Sequence, residues 1–163
     1  MELRERLRRA LVFSREFTER LLGDLESPEQ WLTPPVEGTN HALWIAGHLA
    51  VADDAFTSMM DPARAERRDN YRTWFGRGSQ PAYESEHYDS PDQIMTYLRE
   101  RRQALLHVLD ALPEADFTRA TPDTAPPFMY DYGSVFQMAA WHESLHTGQL
   151  TLIRRKLGHV PVR

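Results

Sequence analysis

The sequence predicts an all-α fold, a four-helix bundle formed by residues 1–163 as one domain. Three observations predict it: four segments carry apolar residues at helical spacing, start and stop signals bracket them, and strand signals are thin. The first helix is expected over about residues 2–25, with Leu3, Leu7, Leu11, Phe17, Leu21 and Leu22 on one stripe. Ser14 and Thr18 interrupt that stripe in its middle. The second begins near Asn40, read as its N-cap, and turns Trp44, Ile45, Leu49, Ala52, Phe56 and Met59 inward. His48 lies within this otherwise apolar face.

The third helix has the clearest start. Ser90-Pro91-Asp92-Gln93 offers a capping serine, a proline at the first helical position and a glutamine placed for a capping box. Ile94, Leu98, Leu105 and Leu109 follow at inward spacing, and Pro113 marks the end. The fourth is expected from about Ser134 to Leu157, where Gly158 supplies a left-handed stop and Pro161 forbids resumption. Two connections are long, roughly residues 61–89 and 113–133. The first holds Tyr71, Trp74, Phe75 and Tyr83, too aromatic for a free linker, and the second Pro122, Pro126, Pro127, Phe128 and Tyr130; both are read as lids or walls of a pocket, or equally as structural packing.

Composition narrows the function. The 163 residues are 41% hydrophobic and 26% charged, an ordinary globular balance with length enough for a real core. The net charge of -5 argues against a broad phosphate-binding surface, so no nucleic-acid partner is expected. Arg64, Arg67, Arg68 and Arg72 cluster locally and read as a solvated segment. No cysteine is present, which excludes disulfides, thiolate metal sites and catalytic thiols. Neither a secretory signal nor a membrane-spanning run is visible, so the expected location is the cytoplasm.

Of seven histidines, two stand four apart in Trp141-His142-Glu143-Ser144-Leu145-His146. On a helix that spacing stacks both imidazoles on one face, close enough to share an ion. His48 sits on the inward stripe of another helix. Three neutral imidazoles from two helices suit zinc or nickel, with iron, manganese and cobalt as further candidates, and leave open positions on the ion. The competing reading is three satisfied core histidines. His41 is expected at an exposed helix start, and His87, His107 and His159 on the surface. Asp53 and Asp54 adjoin inward positions and read as sideways-pointing surface or packing groups.

The same run satisfies the H-E-x-x-H pattern of zinc proteases, in which the glutamate is the general base. Those enzymes need a third ligand further along the chain. Gln149 and Leu152 stand where the extended form needs glycine and histidine, and no acidic residue follows His146. The protease reading therefore fails, while Glu143 stays a candidate base or a support for the ligands.

Asn40-His41-Ala42-Leu43-Trp44-Ile45-Ala46-Gly47-His48-Leu49-Ala50, followed late by His142-x-x-x-His146-Thr147-Gly148-Gln149, resembles the DinB/YfiT-like superfamily of bacterial four-helix bundles. The likeness covers essentially the whole chain. It implies a divalent metal on His48, His142 and His146, an unusual order of helix connections and a homodimer. Characterised relatives include thiol-dependent S-transferases and a maleylpyruvate isomerase, which use low-molecular-weight thiols such as bacillithiol or mycothiol. The expected function is therefore a metal-dependent transferase joining a low-molecular-weight thiol to a small electrophilic substrate. The alternatives are a metal-dependent hydrolase, or a non-catalytic dimeric bundle with a structural metal.

Overall fold

A computed structural model describes residues 2–162. It holds six α-helices: α1 (Leu3–Leu22), α2 (Pro28–Trp31), α3 (Ala42–Met60), α4 (Asp69–Phe75), α5 (Pro91–Ala111) and α6 (Tyr132–Lys156). The all-helical expectation holds: the only β pairing among the described residues is one isolated bridge between Ala120 and Asp131. The expected count of four helices is corrected to six. The two additions, of 4 and 7 residues, are too short to leave a periodic signature and lie in stretches read as connections.

Local chemistry sets the ends. α1 stops at Leu22, where the Gly23 amide bonds to the Glu19 carbonyl at 2.9 Å. α3 is capped by His41, not by Asn40. The His41 Nδ1 accepts from the Trp44 amide at 3.1 Å, and its Nε2 lies 2.8 Å from the Ala82 carbonyl. The expected exposed His41 is therefore fully buried, and that burial pushes its imidazole below the ordinary value. The Ser90–Gln93 capping box of α5 is present as expected. α6 starts at Tyr132, ahead of the expected Ser134, because Asp131 caps it and Ser134 reciprocates from the third position. Gly158 takes the left-handed conformation, with φ 89°.

The four long helices form a ring in which α3 packs chiefly on α5 and α1 chiefly on α6, with α3–α6 and α1–α5 contacts closing it. Two apolar clusters fill the interior. One gathers Leu21, Ile45, Leu49, Phe75, Leu98 and Ile153, and the other Leu11, Phe56, Leu105, Leu109, Val135 and Phe136. Their order along each helix makes α3 and α5 run parallel. Parallel neighbours need a connection that returns the whole length of the helix, which is why the segment between them is long. That segment packs on the bundle: Tyr71 and Phe75 of α4 are buried in the first cluster.

Between the apolar clusters lies a charged layer, with one residue from each long helix. Arg102 of α5 grips Asp53 of α3 through two bonds of 2.8 and 3.1 Å, and reaches Glu143 of α6 at 2.5 Å. Arg15 of α1 bonds Glu143 at 2.7 Å and Asp53 at 3.1 Å. The remaining guanidinium nitrogens donate to the Leu11 and Leu98 carbonyls, both at 2.6 Å. Ser14, one of the two interruptions of the α1 stripe, donates to Glu143 at 3.2 Å. Two positive and two negative charges thus balance, fully bonded, in the dry centre of the bundle.

Candidate metal centre

Local sequence around His48 reads as a device for holding one ring. The Trp44 indole stacks on the His48 imidazole with centroids 4.6 Å apart and planes 10° from parallel. The Trp44 Nε1 donates to the Trp74 carbonyl at 3.1 Å, which fixes the indole in turn. Gly47 admits the Phe75 ring against α3: a Cβ at that position would stand 2.5 Å from the ring. The close approach delivers the Phe75 carbonyl to His48 Nδ1 at 2.7 Å. A carbonyl only accepts, so Nδ1 carries the proton and Nε2 presents a lone pair.

His146 is set the same way on α6. Its Nδ1 lies 3.0 Å from the side-chain oxygen of Gln149, one turn further on. Its Nε2 is then also left with a lone pair. Gly148, by contrast, has open space where a Cβ would stand, so nothing here requires glycine at that position.

The three Nε2 atoms converge. His142 Nε2 lies 3.1 Å from that of His48 and 3.2 Å from that of His146, and one ligand atom from each ring lies within 4.8 Å of the other two. His142 can offer a proton to one neighbour at most, so at least one of these contacts sets lone pair against lone pair. A cation relieves that repulsion. Three imidazoles holding one metal at about 2.0–2.1 Å separate their nitrogens by about 3.0–3.4 Å, which matches the two separations from His142 of 3.1 and 3.2 Å. The donor set therefore fits a divalent ion, and the three histidines could hold one.

Protons compete poorly for these nitrogens. Burial, then the charge of His48, pushes His142 down to about 4. Burial, then His142 and His48, pushes His146 down to about 4 as well. Burial also lowers His48, partly offset by its bond to the Phe75 carbonyl. All three rings are neutral and ready to act as ligands at pH 7.

His48 and His142 lie at one end of a cleft of about 440 Å³. Val51, Ala52 and Phe56 of α3 and Met138 of α6 form its apolar floor. Arg77, from the connection after α4, and Phe128 and Met129, from the connection before α6, form its walls. Both long connections thus border the cleft, while the aromatics Tyr71, Trp74 and Phe75 of the first pack in or against the core instead.

Glu143 does not line this cleft. It is fully buried on another flank of α6, with its carboxylate bonded to Arg15, Arg102 and Ser14. Burial alone would raise its carboxyl, but Arg15 and Arg102 hold it below the ordinary value. Asp53 and Asp54, expected sideways, are 2% and 8% exposed. Asp53 belongs to the charged layer, while Asp54 accepts from the Glu66 amide and from Arg101. His87 and His107 are exposed as expected, and His159 is half-buried.

Sequence reasoning missed Arg15 and Arg102. Their signal was available: each takes a core position on its stripe, Arg15 after Leu11 and Arg102 between Leu98 and Leu105. No described helix is long and apolar enough to cross a membrane. No curated protein and no solved structure matches the chain. A family model described as the DinB superfamily matches residues 10–150, and the chain belongs to that superfamily.

Proposed function

We propose that the protein is a metal-dependent transferase that joins a low-molecular-weight thiol to a small electrophilic substrate. The carrying observation is the convergence of three histidine Nε2 atoms, two of them fixed by Nδ1 partners, beside an apolar cleft lined by His48 and His142. His48, His142 and His146 hold the ion, zinc or nickel by donor chemistry, with iron, manganese and cobalt as further candidates. When bound, the ion supplies Lewis acidity that makes a thiol or a water a better nucleophile at neutral pH.

The chain's own residues do the rest. The Phe75 carbonyl and Gln149 orient two ligands, and such supports typically change metal affinity by about 10- to 100-fold. Phe56, Phe128 and Met138 exclude water from the reacting end. Glu143 acts through the helix: both oxygens are engaged by arginines, so it holds the face of α6 and does not take the substrate's proton. As the sulfur–carbon bond forms, the bond from that carbon to the leaving group breaks, the leaving group takes the electron pair out to solvent, and the thiol proton passes to bulk water. A hydrolase would use water at the same place, and a purely structural ion would use none.

The homodimer reading has separate support on α6. Trp141, Leu145 and Leu152 form an exposed apolar stripe at helical spacing on its outer face.

The deciding experiment combines elemental analysis with turnover. Wild-type protein is expected to carry about one equivalent of metal, and His48→Ala and His146→Ala none. Conjugation of a small thiol to a generic electrophile should be lost in His142→Ala. Full metal content with no turnover on thiol or ester panels, and a large fall in Tm on chelation, would instead establish a structural ion.

A further inference from the structure

The cleft beside the histidines does not end at Arg77. A second cleft, of about 600 Å³, shares Val51, Ala55 and Arg77 with the first and runs on along α3 past Ser58. At the helical rise, Ala55 lies about 10 Å along α3 from His48. Arg67, Arg72 and Arg77 line this second cleft, and Arg77 borders the first as well. Arg67 is paired with Asp69, while Arg72 and Arg77 have no ion pair among the described residues. The acid facing them is Asp54, whose charge is already met by Arg101. The two clefts thus meet along Val51, Ala55 and Arg77, with nitrogen ligands bordering the first, Arg72 bordering the second, and Arg77, which like Arg72 has no ion pair among the described residues, bordering both.

We infer that the cleft takes an elongated molecule whose far end is an anion, a carboxylate or phosphate, held by Arg77 and Arg72 while its other end reaches His48 and His142. The inference rests on the metal-site reading for its reacting end but not for its anionic end. Guanidinium forks suit carboxylate and phosphate because they donate two parallel hydrogen bonds. The anion can belong to the thiol or to the electrophile, and the shared chemistry is the acidic end group.

Calorimetric titration of the full chain, with its metal content measured, tests this with four probes. These are ω-mercaptohexanoate, the neutral ω-mercaptohexanol of equal length, and thiol-free hexanoate and hexanol. Within at least one pair the acid should bind about fivefold or more tightly than the alcohol, the worth of a partly exposed charge pair. Arg77→Gln should remove most of that preference and the double Arg72→Gln, Arg77→Gln variant all of it, with metal content and circular dichroism unchanged. A preference confined to the thiol pair assigns the anion to the thiol, and one kept by hexanoate assigns it to the electrophile. Equal binding of acid and alcohol in both pairs, or a preference that survives the double variant, overturns the inference while leaving the metal site untouched. Absence of metal alone would defeat the transferase reading and leave the hexanoate pair still decisive.

Discussion

The bundle carries two polar clusters, one buried and one half-buried, side by side on α3 and α6, and they are built on opposite principles. In the charged layer of Arg15, Asp53, Arg102 and Glu143, every charge is met by its opposite and the guanidinium nitrogens all find acceptors. In the histidine cluster, three ring nitrogens face one another and His142 can answer one neighbour at most, so at least one lone pair meets another. The first is self-sufficient, and the second has the donor set to hold a cation. Burial alone therefore does not mark a functional group. What marks it is a buried group whose chemistry the protein leaves open.

The largest expected effect tests the self-sufficient cluster. Arg102→Met removes the positive charge shared by Asp53 and Glu143 and strands two buried carboxylates. Chemical denaturation should show a loss of about 3–5 kcal/mol, equal with and without added metal. A loss that metal restored would mean the two clusters are one.

Acid should separate them more gently. Histidines in the unfolded chain take up protons below about pH 6.5, whereas His142 and His146 in the folded chain resist until about pH 4. Metal-free protein should hold its stability above pH 6.5 and lose it progressively as the pH falls towards 4, by up to about 3 kcal/mol for each of the two rings. Replacing His142 with leucine should reduce that slope. Glu143 is held below the ordinary carboxylate value, so its contribution is full above about pH 4.5 and is lost as the pH falls below that. A stability curve flat between pH 6.5 and 4.5 would contradict this assignment.

The smallest effect is the most local. Gln149→Leu removes the acceptor on His146 Nδ1 and frees the ring to change tautomer. Competition with a coloured chelator should show metal affinity reduced by about 10- to 100-fold. Stability of the metal-free protein should change by less than about 1 kcal/mol. Unchanged affinity would mean that the helix alone orients His146.

How much of this was legible in the sequence differs between the two clusters for the same reason they differ physically. His142 and His146 are readable because a helix brings residues four apart together without help. His48 stood out as a polar residue on an apolar stripe, yet its partner Phe75 is 27 residues away, on a helix too short to show its period. The charged layer left a quieter trace: one charged side chain at a core position of each long helix, summing to zero. Asp53 looks peripheral when only its own helix is considered. It becomes central once the parallel course of α3 and α5 sets it opposite Arg102. His41 was misplaced for a similar reason, since its acceptor, the Ala82 carbonyl, arrives from a loop that no periodic pattern predicts.

The indole lying flat on His48 gives the molecule a built-in optical gauge. Excited tryptophan loses its energy readily to a protonated imidazole or to an open-shell metal a few ångströms away, and far less to a closed-shell ion. The emission of Trp44, isolated by subtracting a Trp44→Phe spectrum, therefore reports what His48 is holding. Cobalt and nickel would darken it and zinc would leave it bright, so the identity and arrival of the ion can be followed in real time without a label.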